Sequence, residues 1–408
     1  MRRLLLALSL LAGCGGEAGR LLGDIEAGPG PSDLKASTPA PSLKPVTVAG
    51  HPADLWVPGE EPLARLVLVP GLSEQGRRDA RLVPLAQSLA RARFLVLVPE
   101  LPAARRLSAD AADAAVIEAA IDALPEGPGP AGVAAISYAA GPAFLAAARA
   151  GKRLGFVATL GAYQSTEAVV TFLATGAWRN PGETGWRQGR PARGSVWLFL
   201  LANAASLPDA GDRALLAEIA RRRLAGIDAA TLAGRLTPSG AAVLALAEEN
   251  DPDAIPRRIN DLPSGMQNSL EALTLTPERL AGFAACAILV HGEEDPIVPP
   301  SESRRLAAML GDRAVLHVIP GLDHIDPRGL SLAGRLAMLE SARDLLAARD
   351  GADPCALRRS RSAPNAPRRA RRGPRPSARR SGCPREAPSA QCLPERSRRE
   401  REASSRGS

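Results

Sequence analysis

Apolar residues gather along the chain in short runs: Leu66-Val67-Leu68-Val69, Phe94 to Val98, Val133 to Ile136, Phe156 to Leu160 with Thr159 in it, Ala287 to Val290, and Ala314 to Ile319 with His317 in it. Each spans about five residues, and several stop at Pro or Gly, as buried strands do. Between them, apolar positions recur at helical spacing. Leu82, Leu85 and Leu89 form one such face, and Ile117, Ile121 and Leu124 another, with Ser108 placed to cap the latter helix. Leu306 and Leu310 precede Gly311, and Leu332, Leu336 and Leu339 mark a last helix. Uninterrupted strands alternating with amphipathic helices predict a mostly parallel sheet covered on both faces, an α/β fold. Ahead of it, 46–57 alternates weakly around Gly50-His51-Pro52 and predicts a hairpin.

The alternation stops near Ala162. From Tyr163 to about residue 280 the pattern is helical, and the strands resume afterwards. The expected organisation is one α/β domain in two parts, 46–162 and 281–350, interrupted by a helical insertion at 163–280.

Charge changes the picture at the ends. The 408 residues are 45% apolar, enough for a sizeable core and against disorder throughout. No run of about 18 uncharged apolar residues occurs, so a polytopic membrane protein is not expected. The net charge of +8 belongs to the segment 351–408, with 16 Arg, no Lys and 5 acids; the other 350 residues carry −3. That Arg/Pro-rich segment has no aromatic residue and is expected to be a disordered tail. Its open readings are a contact with anionic lipid, a contact with nucleic acid, or a translational extension without function. Lack of stacking groups argues against a nucleic-acid partner.

At the other end, Arg2-Arg3 precede an apolar stretch from Leu4 to Ala12 that closes with Leu11-Ala12-Gly13-Cys14. The pattern is that of an export signal, and it resembles the bacterial lipoprotein signal. That resemblance implies removal of 1–13, lipidation of Cys14 and anchoring in the cell envelope, with Gly15 favouring an outer membrane. Residues 14–45, rich in Gly, Pro, Ser and Ala, read as a flexible linker. Between Gly15 and Asp350 the chain has a single cysteine, Cys286, expected to be buried and unpaired. Cys355, Cys383 and Cys392 lie in the tail without metal-ligand spacing.

Three strand ends carry candidate chemistry, and ligands of parallel sheets gather at such ends. Ser137 follows the run ending at Ile136 and opens an Ala-rich helix. Asp295 lies in His291-Gly292-Glu293-Glu294-Asp295-Pro296, with Glu293 and Glu294 as neighbouring acids. His324 closes Pro320-Gly321-Leu322-Asp323-His324. A serine hydroxyl needs an imidazole to take its proton, and the imidazole needs a carboxylate to fix its tautomer. The two later loops and the strand-Ser-helix order resemble the α/β-hydrolase fold family, over roughly 46–349. The resemblance implies a Ser137-Asp295-His324 triad, and backbone N–H groups of Leu72 and Tyr138 as the oxyanion site, with Pro70 where the family has His. It departs from the family's G-x-S-x-G elbow, since Ala135 and Ala139 replace both glycines.

The expected function is therefore a serine hydrolase acting on carboxylic esters through an acyl-enzyme. Alternatives on the same fold are an acyltransferase, a peptidase or a catalytically silent binding protein. The implied partners are a small ester or acyl substrate and, through the anchor, a membrane. No phosphate loop, dinucleotide fingerprint or metal cluster occurs, so neither cofactor nor metal is expected. His51, His291 and His317 read as structural. Trp178, Trp186, Trp197 and Phe199 read as core or cap contacts, or as lining for an apolar acyl pocket.

Overall fold

The computed structural model describes residues 16–204 and 207–362. Cys14 and its signal, and the tail from residue 363, lie outside the described residues. An eight-stranded sheet organises the domain: β1 (Ser42–Val48), β2 (His51–Val57), β3 (Ala64–Val69), β4 (Phe94–Pro99), β5 (Ala131–Ile136), β6 (Phe156–Leu160), and, beyond a small hairpin of β7 (Ala177–Trp178) and β8 (Arg187–Gln188), β9 (Cys286–Gly292) and β10 (Ala314–Ile319). The order is β1-β2-β4-β3-β5-β6-β9-β10. Within this sheet the β1–β2 and β2–β4 pairs are antiparallel and the other five pairs are parallel.

Burial explains which strands sit where. All six residues of β4 are buried and only one of β9's seven is not, as expected for strands covered on both faces. At one edge β10 alternates intermediate and buried positions, and at the other β1 is largely exposed. The β1–β2 turn places Ala49 and Gly50 at φ 47° and 78°, the two left-handed positions a tight two-residue hairpin requires. One face packs helices 113–122 and 140–150 through Ile117, Phe144 and Leu145. The other packs helices 82–91 and 332–349 through Leu82, Leu89 and Leu346.

Register brings the chemistry to one edge. Ile136 pairs with Leu160, Leu160 with Val290, and Gly292 with Ile319. Chain segments leaving β5, β6, β9 and β10 therefore emerge side by side. The insertion between β6 and β9 is helical apart from β7–β8, and it has its own core around Val170, Leu216, Ile219, Val243 and Ile255. Its two stems are zipped together, the N–H of Leu275 donating to Gln164 O and Gln164 Nε2 donating to Leu275 O.

Four sequence expectations need correction. Residues 16–41 are not a linker: helices Gly16–Ala27 and Asp33–Ser37 dock on the sheet's helical layer. Ala18, Leu21, Leu22 and Ile25 have the spacing of one helical stripe, which the surrounding glycines obscured. Asp24, fully buried, accepts hydrogen bonds from Ser32, Ser88 and Lys35 and ties this segment to helix 82–91. Cys286 is not unpaired but forms a disulfide with Cys355. The ordered unit accordingly runs past residue 350, with helix Pro354–Ser362 packed on β9 and β10. Finally, Ser108 caps no helix; Asp113 opens helix Asp113–Asp122.

No helix among the described residues is long and apolar enough to cross a membrane.

Candidate active site

Ser137 is the first residue after β5 and begins a single tight turn, 137–139, that runs into helix 140–150. Its φ is +55°, a left-handed conformation uncommon for a residue with a side chain and a recurrent mark of functional turns. Ala135 and Ala139 are buried there and leave the turn intact. The glycine that packing demands is Gly141, where a methyl group would overlap the Tyr163 hydroxyl. Gly71 serves similarly, since a methyl on it would lie 3.1 Å from Ile136 O and 3.6 Å from Ser137 Cβ. The Gly71-Leu72 segment thus runs directly beside Ile136-Ser137.

Ser137 Oγ lies 2.7 Å from His324 Nε2, and His324 Nδ1 lies 2.6 Å from Asp295 Oδ2. Asp295 is buried, while Glu293 and Glu294 are exposed. Its second oxygen accepts the N–H groups of Ile297 (2.8 Å) and Val298 (2.9 Å), which fix the carboxylate's direction. An ionised carboxylate only accepts, so the Asp295 contact puts the imidazole proton on Nδ1 and leaves the Nε2 lone pair for the serine hydroxyl. Residues 187 and 29 positions apart in sequence thereby form one line of hydrogen bonds.

Two glycines that sequence reading did not single out support this line, beside His291, which it read as structural. Gly161, at φ +72°, lies behind the His324 ring. Gly292 is where the loop carrying His324 crosses the end of β9; a methyl there would overlap the carbonyl oxygens of Asp323 and Leu322. Both glycines stand at strand ends, the signal that could have marked them. His291 sits beneath the acid loop, with Nε2 2.9 Å from Val298 O and Nδ1 2.6 Å from Ser303 Oγ. Burial pushes its pKa down and holds it neutral. His317 is placed away from this line, 2.9 Å from Asp344.

The insertion touches the acid loop, the N–H of Ala192 donating to Pro296 O at 2.8 Å. Trp197 and Phe199 pack against the insertion's own core. Trp178 and Trp186 lie in its hairpin region beneath the Arg187 and Arg179 guanidinium groups, at 5.5 and 4.2 Å from the ring centres. Cys286, Asp353 and Cys355 bring three potential ligand atoms together, but the two sulfurs are bonded to each other.

No protein-family model matches the sequence, and no curated protein matches it either. Among solved structures, similar chains include a lipase in an open form (16% identity, TM-score 0.41, covering 76% of this chain and 99% of that one). Another is a putative lipase from Acinetobacter baumannii AYE (14%, 0.42, 76% and 93%). A third is carboxyl esterase 2 from the fungus Tuber melanosporum (15%, 0.45, 78% and 89%). With its mostly parallel sheet, strand-turn-helix serine and helical insertion, the chain has an α/β-hydrolase fold.

Proposed function

We propose that the chain is a serine hydrolase that cleaves carboxylic esters through an acyl-enzyme. The observation that carries this reading is the continuous hydrogen-bonded line from Ser137 Oγ through His324 to Asp295. Ser137 Oγ attacks the ester carbonyl carbon as His324 Nε2 takes its proton. The carbonyl oxygen becomes an oxyanion, held by the N–H groups of Leu72 and Tyr138. Collapse breaks the carbon–oxygen bond to the alcohol, which leaves with the proton from Nε2. A water molecule, deprotonated by His324, then attacks the acyl carbon; the carboxylic acid departs and Ser137 recovers its proton. Asp295 stays ionised throughout and stabilises the imidazolium.

The test is a panel of p-nitrophenyl esters of increasing chain length together with labelling by a fluorophosphonate. Ser137→Ala is expected to abolish labelling and to lower kcat by about 10⁴-fold or more. Full activity in that variant would sink the mechanism.

The reading extends to location: an exported protein lipidated at Cys14 and anchored in the cell envelope. The Cys286–Cys355 disulfide supports an oxidising compartment. Helix Leu332–Arg349 starts beyond the His324 loop and runs about 27 Å back across the sheet. At its far end, Arg349 pairs with Glu17, three residues after Cys14. Membrane fractionation and labelling with a fatty-acid analogue check the anchor; a Cys14→Ser protein that still partitions with membranes counts against it.

A further inference from the structure

We propose that Asp113 is a positioning residue that sets the spacing between the two oxyanion donors, the Leu72 and Tyr138 amides. The inference rests on the serine-hydrolase reading of the site.

Those donors come from separate chain segments, the loop after β3 and the turn after β5, and nothing in their local sequence fixes one against the other. The Asp113 carboxylate joins them. It is 2% exposed and stands at the first residue of helix 113–122. Oδ1 accepts the N–H of Ala103 at 3.2 Å. Oδ2 accepts the N–H of Ala104 at 3.1 Å and lies 3.2 Å from the Tyr138 hydroxyl. Ala104 in turn accepts, on its carbonyl oxygen, the N–H of Ser73, the residue after Leu72 (3.2 Å). One carboxylate therefore reaches the Tyr138 side directly and the Leu72 side through Ala104.

The Tyr138 ring is clamped by the same segment. Its hydroxyl accepts the N–H of Asp110 at 2.9 Å, and its one proton is shared between Asp110 O (2.7 Å) and Asp113 Oδ2 (3.2 Å). The loop after β3 has other braces, so loss of Asp113 would move it rather than release it. Arg77 bridges Asp54 (3.2 Å) and Glu100 (2.9 Å), and Ser73 Oγ donates to Asp79 (2.7 Å). A carboxylate is the group this place requires. Two backbone N–H groups point at it, and an amide side chain would present its own N–H to one of them. Burial raises the Asp113 pKa, which is the cost of placing an acid there. What that cost secures is geometry: an error of about 1 Å in a catalytic donor lowers rate on the order of 10²-fold.

The test uses the full chain with Asp113→Asn and Tyr138→Phe. Both are checked for folding by near-UV circular dichroism and Tm, then assayed for kcat and KM on a short-chain p-nitrophenyl ester. A trifluoromethyl ketone, which forms a tetrahedral oxyanion on the serine, reports on the oxyanion site. The expected result is a kcat lower by about 10- to 100-fold with KM within about twofold, and a ketone Ki raised by a factor similar to the loss in kcat. Should Asp113→Asn fail to fold, Asp113→Ser takes its place, because it removes the carboxylate and leaves both Asp110 hydrogen bonds to the Tyr138 hydroxyl intact. Folded variants with a lowered Tm but wild-type kcat and Ki would reduce Asp113 to a stabilising residue and overturn the proposal. Wild-type protein that no fluorophosphonate labels at Ser137 would defeat the serine-hydrolase reading and this inference together. Labelled wild type with unaffected variants defeats the inference only.

Discussion

Gly161 stands directly behind the His324 imidazole: a methyl group added to its α-carbon would lie 2.9 Å from Cε1 and 3.2 Å from Nδ1. The same methyl would come within 3.5 Å of Asp295 Oδ2. Gly161→Ala therefore pushes on the ring that links Ser137 to Asp295, and it also forces a side chain into a left-handed conformation that costs about 1–2 kcal/mol. The expected outcome is a loss in kcat of about 10²-fold with the fold retained. Steady-state kinetics beside a Tm measurement separates the two effects; wild-type kcat in a folded variant would show that the ring has room to yield.

Acidification acts on stability through His291. Its folded pKa lies below the ordinary value of 6.5 because burial disfavours the charged ring. Between that lowered pKa and about 6.5 the unfolded chain takes up a proton that the native state refuses. The stabilising contribution is whole above pH 6.5 and declines as pH falls below it. Buried Glu302, whose pKa burial raises above 4.5, has the opposite sign, because there the native state takes up the proton before the unfolded chain does. Chemical denaturation between pH 7.5 and 5 should show falling stability in the wild type and a flatter profile in His291→Gln. Equal slopes in the two proteins would remove His291 as the cause.

The disulfide closes a loop of 69 residues that begins at the first residue of β9. Replacing Cys355 by Ser is expected to destabilise the domain by about 2–4 kcal/mol. Thermal unfolding with and without reductant reads it: reductant should lower the Tm of the wild type and leave that of Cys355→Ser unchanged.

The amino-terminal helix is part of the folded unit. Leu21 is 1% exposed, packed with residues of helices 82–91 and 332–349. Leu21→Ala should cost about 2–5 kcal/mol, as deletion of a buried leucine side chain does. A change below about 0.5 kcal/mol in urea denaturation would instead fit a segment that behaves as a tether.

Local pattern was sufficient for the parts of this protein that depend on local pattern. The apolar runs at 66–69 and 94–98 are strands because uninterrupted burial on both faces demands them. Ser137, Asp295 and His324 were visible as chemistry at strand ends. Segment 16–37 was not, because glycines at 16, 19, 23, 28 and 30 mask a stripe whose meaning lies in the surface it meets. The Cys286–Cys355 pairing was hidden for a related reason: it exists only once helix 354–362 folds back onto β9.

By itself, then, the amino-acid sequence determined the succession of sheet strands and the candidate residues Ser137, Asp295 and His324 at their ends. Tertiary structure alone decided that parallel register sets the ends of β5, β6, β9 and β10 side by side, since register depends on contacts between segments far apart in the chain. It also decided that Gly141 and Gly161, not positions 135 and 139, must lack a side chain, and that Asp113 faces Tyr138. Such requirements come from what approaches a residue through space, and a one-dimensional pattern holds no record of that approach.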